Sequence, residues 1–182
     1  MLNGKIILID QDGVQANYQA SLHAILNKEY PNGPWLPITE LRHHDTEKNY
    51  PPEWKDVIEE IVLRRGFYRN LPPIPGGREA LEYLLSQGHD VRIVTAPKRK
   101  YKNCVLEKLE WIEEHLGQTW VERTIITRDK TLVHGDILVD DKPDVHGARI
   151  PSWEQVFYDQ PYNRAHNKRR LNWINYKEVL EL

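Results

Sequence analysis

The chain has 182 residues, a length that suits one domain with a subdomain, and 40% hydrophobic and 29% charged residues make an ordinary globular composition. A net charge of −2 argues against a general electrostatic attraction to nucleic acid or membrane surfaces. Cys104 is the only cysteine, which excludes an intrachain disulfide and fits a reducing compartment. No basic opening stretch leads into a long apolar core, and no apolar run approaches the roughly 18 residues of a bilayer span. A cytoplasmic protein without a secretory signal is expected.

The first element is also the most informative. Ile6-Ile7-Leu8-Ile9 is apolar on both faces, the mark of a central strand in a parallel sheet, and it runs into Asp10-Gln11-Asp12-Gly13. Apolar positions at Tyr18, Leu22, Ile25 and Leu26 predict a helix over 17–29. Pro31, Gly33, Pro34 and Pro37 then impose loop, with a short helical turn near Thr39. Pro51 and Pro52 introduce a helix over 53–63, which Gly66 closes before Phe67-Tyr68. Residues 16–75 thus form a small, mostly helical insertion. The turn-rich linker 72–77 leads back to strands and helices in alternation. A helix through Ala80, Leu81, Leu84 and Leu85 precedes a strand over 90–95. A helix over 105–116 precedes a strand over 124–127. Strands over 137–141 and 154–158 follow. Such alternation predicts an α/β fold with a doubly wound parallel sheet. Lys168-Arg169-Arg170, followed by Leu171, Trp173 and Ile174, reads as the exposed side of a terminal helix rather than a nucleic-acid footprint.

In an open parallel sheet, ligands bind beyond the carboxyl ends of the strands. Asp10 and Asp12 end the first strand, Thr95 the second and Asp140-Asp141 the fourth, while Lys130 lies just past the third. Thr95 alone would be structural and Lys130 alone a solvated loop residue. Together they supply a nucleophilic carboxylate, a neighbouring acid, a hydroxyl, an ammonium and a second acidic pair. That inventory suits phosphoryl transfer through an aspartyl-phosphate. Adjacent carboxylates repel unless a cation relieves them, and a hard divalent ion is the natural relief.

These residues carry a resemblance. Asp10-Gln11-Asp12-Gly13-Val14, Pro75-Gly76, Thr95-Ala96-Pro97, Thr127-Arg128-Asp129-Lys130-Thr131, Leu138 to Asp144 and Pro151-Ser152-Trp153-Glu154 are similar to segments of the haloacid dehalogenase (HAD) superfamily. Within it the chain most resembles the 5'(3')-deoxyribonucleotidases. The resemblance implies a HAD-like Rossmannoid core of residues 1–15 and 76–182 and a helical cap of residues 16–75. Asp10 would be the nucleophile and a metal ligand. Asp12 would be the general acid/base and lend its backbone carbonyl to the metal. Asp141 would be the second carboxylate on Mg²⁺, with Asp140 close behind it. Thr95, the backbone near Ala96, and Lys130 would hold the phosphate, and Arg128 would reach the base or sugar. Cap aromatics would receive the nucleobase: Tyr18, Phe67 and Tyr68, with Trp54 behind them.

Two residues depart from the family pattern. Ala96 stands where a small polar residue is usual, which removes one side-chain hydrogen bond to substrate. Gln11 replaces an apolar residue between the acids, with its side chain expected to point away from the nucleophile. His43-His44-Asp45 is read as a solvated loop rather than a metal site. The implied activity is Mg²⁺-dependent hydrolysis of 5'- or 3'-phosphates of deoxyribonucleoside monophosphates, with no membrane or nucleic-acid partner and dimerisation in keeping with the family. The alternatives are hydrolysis of another small phosphate ester or a nucleic-acid 3'-phosphate, and a non-catalytic nucleotide-binding module.

Overall fold

The computed structural model describes residues 4–181. Six strands form one sheet in the order β3-β2-β1-β4-β5-β6: β1 (Ile6–Ile9), β2 (Asp90–Thr95), β3 (Thr124–Ile126), β4 (Ile137–Asp140), β5 (Glu154–Tyr158) and β6 (Arg170–Leu171). Every pairing is parallel. The four aliphatic residues of β1 place it between β2 and β4, where both faces are covered. Ile7 and Ile9 join the main core, while Leu8 turns to the opposite face with Val94, Leu138 and Trp153.

The main core is closed by helices α1 (Tyr18–Glu29), α2 (Lys55–Val62), α3 (Gly77–Ser86), α4 (Cys104–His115), α5 (Gln118–Glu122) and α6 (Tyr176–Val179). Their buried residues fall at helical spacing, as Ala80, Leu81 and Leu84 do on α3. The opposite face is thinner. The Leu8 cluster is completed by Ile6, Ile125, Val133 and Val145, from strands and loops.

Asn17 opens α1 by accepting a hydrogen bond from the Ala20 amide at 3.1 Å. The segment leaving β1 and the segment returning to α3 are tied together: Asn17 N donates to Pro72 O and Ile74 N to Gln15 O, each at 2.7 Å. Between these ties lie α1, three short 3₁₀ turns and α2. Their own aromatic cluster joins Trp35 to Trp54 at 4.8 Å and to Tyr50 at 5.2 Å between ring centroids.

The basic segment near the C-terminus corrects one expectation. Arg170 and Leu171 form an edge strand rather than the side of a helix, because Leu171 is wholly buried against β5. Arg170 pairs with Asp159, and Arg169 with Glu154. Among the described residues, the four-residue α6 is the only helix that follows.

Candidate active site

The register of the sheet brings the strand ends level. Ile9 lies opposite Ile93 and Val139, and Thr95 opposite Ile126, so Asp10, Thr95 and Asp140 emerge at one edge. Asp10 keeps its backbone in the ladder by donating to Val139 O at 2.9 Å. The chain then turns sharply, with the amides of Val14, Gln15 and Ala16 converging on Gln11 O. Gly13 adopts φ +76°, and a Cβ there would sit 2.1 Å from Asp141 Oδ2. Only glycine lets the loop after β1 approach the acid after β4 so closely.

Lys130, in the 3₁₀ turn after β3, places its ammonium 2.8 Å from Asp10 Oδ1 and 2.6 Å from Asp140 Oδ2. Oxygens of Asp10, Asp140 and Asp141 lie within 4.8 Å of one another. Asp141 Oδ2 accepts from the Tyr162 hydroxyl, and its backbone carbonyl accepts from Asn163 Nδ2 at 2.9 Å. Asp141 Oδ1 is buried without a hydrogen-bond partner among the described residues.

The electrostatics follow from burial. Desolvation pushes the Asp10 carboxyl up to about 7, against the pull of Lys130 and helped by Asp140 and Asp141. Burial raises Asp141 as well, partly offset by His44. For Lys130 burial works the other way, but the charges of Asp10 and Asp140 overcome it and hold the ammonium charged. One ammonium among three crowded carboxylates, two buried and one half-buried, leaves negative charge that a cation or protons must offset. Hard oxygen donors and an orphaned carboxylate oxygen are what a divalent cation of the Mg²⁺ type fits. Asp10 and Asp141, with Asp140 beside them, are the carboxylates able to hold it.

Lys108 is the residue that sequence reasoning missed. It is 1% exposed on α4, and its ammonium donates to Asp12 Oδ2 at 2.6 Å and to Thr95 Oγ1 at 3.0 Å. Asp12 Oδ1 is left without a partner among the described residues. A signal was available: Lys108 lies four residues from both Cys104 and Ile112 and three from Trp111, on the buried stripe of α4. Gln11, as expected, points away from Asp10: it is fully buried and donates to Lys108 O at 3.1 Å.

Two adjoining cavities open at this edge. One of about 230 Å³ is walled by Tyr18, Gln19, Thr46, Tyr68, Tyr162 and the Asp12–Gly13 turn. The other, about 190 Å³, holds Asp10, Thr95, Lys130 and Asp140, with the exposed Arg128 at its rim. Ala96, Asp12 and His44 border both. Phe67 stands behind Tyr18 with ring centroids 5.4 Å apart, and is not part of either wall. Trp54 packs on Tyr30 and Trp35, away from the cavities. His44, read from sequence as solvated, instead reaches toward Asp141, 3.9 Å from its Oδ1. Adjacent histidines in a polar loop carry no sequence signal for which of them turns inward.

Comparison with known proteins converges on one family. The family model for the "5' nucleotidase, deoxy (Pyrimidine), cytosolic type C protein" matches residues 4–182. A Bordetella pertussis protein assigned to the 5'(3')-deoxyribonucleotidases is 43% identical over 176 residues, spanning 96% of this chain and 95% of the relative. The human cytosolic-type 5'(3')-deoxyribonucleotidase is 37% identical over 186 residues, spanning 96% and 92%. In fold, the chain is similar to a HAD family hydrolase from Deinococcus radiodurans R1 with bound phosphate and sodium. The TM-score is 0.61 at 16% identity, over 99% of this chain and 96% of that one. With the sheet order, the aligned strand ends and near full-length sequence similarity in agreement, this chain is a HAD-fold hydrolase and belongs to the 5' nucleotidase, deoxy (pyrimidine), cytosolic type C family.

Proposed function

We propose that this protein hydrolyses the phosphate of deoxyribonucleoside monophosphates through an aspartyl-phosphate on Asp10, with Mg²⁺ as cofactor. The observation that carries the reading is the crowding of Asp10, Asp140 and Asp141 within 4.8 Å around Lys130, beside a cavity large enough for part of a small substrate. Asp10 and Asp141, with the backbone carbonyl of Asp12, would hold Mg²⁺, which when bound supplies positive charge against the phosphate oxygens and the carboxylates. Asp10 attacks phosphorus and the ester P–O bond breaks. Asp12, held at Oδ2 by Lys108, gives a proton from its carboxyl to the departing oxygen. The Asp12 carboxylate then takes a proton from water, which attacks the aspartyl-phosphate, frees inorganic phosphate and restores Asp10.

Thr95, the Ala96 backbone and Lys130 hold the phosphate in this reading, while Tyr18 and Tyr68 face the nucleoside and Arg128 reaches it from the rim. Residues 16–75 act as the cap over the crevice. The test is phosphate release from deoxyribonucleotides, ribonucleotides and simple esters, with Mg²⁺ and with EDTA. Metal-dependent turnover favouring deoxyribonucleotides is expected, with Asp10→Asn losing at least ~10³-fold in kcat. Turnover of simple esters alone would replace the nucleotide by another substrate. No turnover at all would leave a binding module.

A further inference from the structure

Beside Lys108 on α4 stands a second buried charge, Glu107, 4% exposed and without a cation in ion-pair range among the described residues. A buried carboxylate is costly unless donors satisfy it. Glu107 has three. Its Oε1 accepts from the Gly66 amide at 2.7 Å and from the Tyr101 hydroxyl, and its Oε2 accepts from the Tyr68 amide at 3.2 Å. Gly66 and Tyr68 belong to the return from α2, so one core side chain fastens the segment that carries Tyr68. Tyr101 also stacks on Tyr68, with ring centroids 6.3 Å apart and planes 26° from parallel. Tyr68 in turn walls the larger cavity and lies under the Lys108 ammonium, 5.2 Å from the ring centroid. An apolar side chain would serve the packing of α4 better than a carboxylate. The acid is explained by the loop it holds.

We infer that Glu107 is a positioning residue for substrate selection: by pinning Gly66 and Tyr68 to α4 it sets the Tyr68 wall against the nucleoside part of a nucleotide. This rests on the nucleotidase reading. Phosphate chemistry at Asp10 is served by other side chains, so a small ester that does not extend to the Tyr68 wall is indifferent to Glu107.

The test compares a deoxyribonucleoside monophosphate with p-nitrophenyl phosphate. Glu107→Gln keeps the shape but replaces one accepting oxygen by a donor, which cannot face an amide N–H. The expected result is a roughly tenfold rise in nucleotide KM, with kcat and the p-nitrophenyl phosphate kcat/KM within about twofold of wild type. In a Tyr68→Ala background the same substitution adds less than about twofold, because the two act through one contact. Equal loss on both substrates, a fall in kcat alone, or full additivity with Tyr68→Ala overturns the inference. Should Glu107→Gln not fold, Tyr101→Phe removes only the phenolic donor and is expected to raise nucleotide KM about threefold; an unchanged KM overturns it equally. A wild-type enzyme with no preference for the nucleotide overturns both this inference and the proposed function. A preference that survives while both substrates suffer alike removes only the role of Glu107.

Discussion

Lys108 shows how a single buried side chain connects stability to chemistry. Its ammonium bridges Asp12 and Thr95, and it takes one carboxylate oxygen of the proposed acid/base while the other stays buried without a partner among the described residues. Lys108→Met leaves Asp12 without its donor in a half-buried setting. We expect kcat to fall on the order of 10²-fold, with a loss of about 1–3 kcal/mol in stability. Lys108→Arg is expected to rescue neither, since a planar guanidinium does not fit a point-charge site on this stripe. Steady-state kinetics and thermal melts of the two variants check this, and an unchanged kcat in Lys108→Met would contradict it. Asp10, Asp12 and Asp141 were legible from their motifs. Lys108 was legible only as an anomaly in an apolar helical pattern.

At the level of elements, the insertion between β1 and α3 holds itself together with aromatic rings and one buried histidine. His23 on α1 is 5% exposed and meets the Tyr50 hydroxyl at 3.2 Å. Burial lowers its pKa from the ordinary 6.5. The unfolded chain therefore binds a proton below about 6.5 that the folded chain resists, and stability is lost as pH falls through that value. The melting temperature of wild type, taken relative to His23→Gln, is expected to drop as pH goes from about 7.5 to 5.5. A constant difference across that range would show that His23 does not titrate differently on folding. The helices α1 and α2 were readable from periodicity. Their contact with the crevice was not, because which aromatics face a cavity depends on the angle at which two elements meet. Tyr18 and Tyr68 face it, while Phe67 and Trp54 pack elsewhere.

Across the whole molecule, the acidic edge of the sheet opposes folding. Burying Asp10, Asp140 and Asp141 together costs desolvation and mutual repulsion that Lys130 offsets only in part. Asp141→Asn keeps an oxygen for the Tyr162 hydroxyl while removing one charge. In EDTA at neutral pH the variant is expected to melt about 2–4 °C above wild type. Added Mg²⁺ is expected to raise the melting temperature of wild type but not of the variant, because only a site that binds the ion in the folded state gains by mass action. Differential scanning calorimetry with and without the ion decides it; a variant less stable than wild type in EDTA would show that Asp141 is held by its hydrogen bonds more than it is strained by its neighbours. Among the described residues, no helix is long and apolar enough to cross a membrane.

The sequence by itself determined the parallel α/β core, the strand ends that bear the acids, and the family. Each rests on local information: four aliphatic residues running into Asp10, the alternation of helix and strand periods, and motifs of a few residues. Tertiary structure alone decided what crosses long stretches of chain. Lys108 meets Asp12 from 96 positions away, His44 approaches Asp141 from another element, and Glu107 holds the Tyr68 loop from 39 positions away. It also turned Arg170-Leu171 into an edge strand, because an open sheet edge offers backbone partners that a two-residue segment cannot advertise in its own sequence. Burial, pairing and charge at such points are set by neighbours in space, and periodicity along the chain carries no record of them.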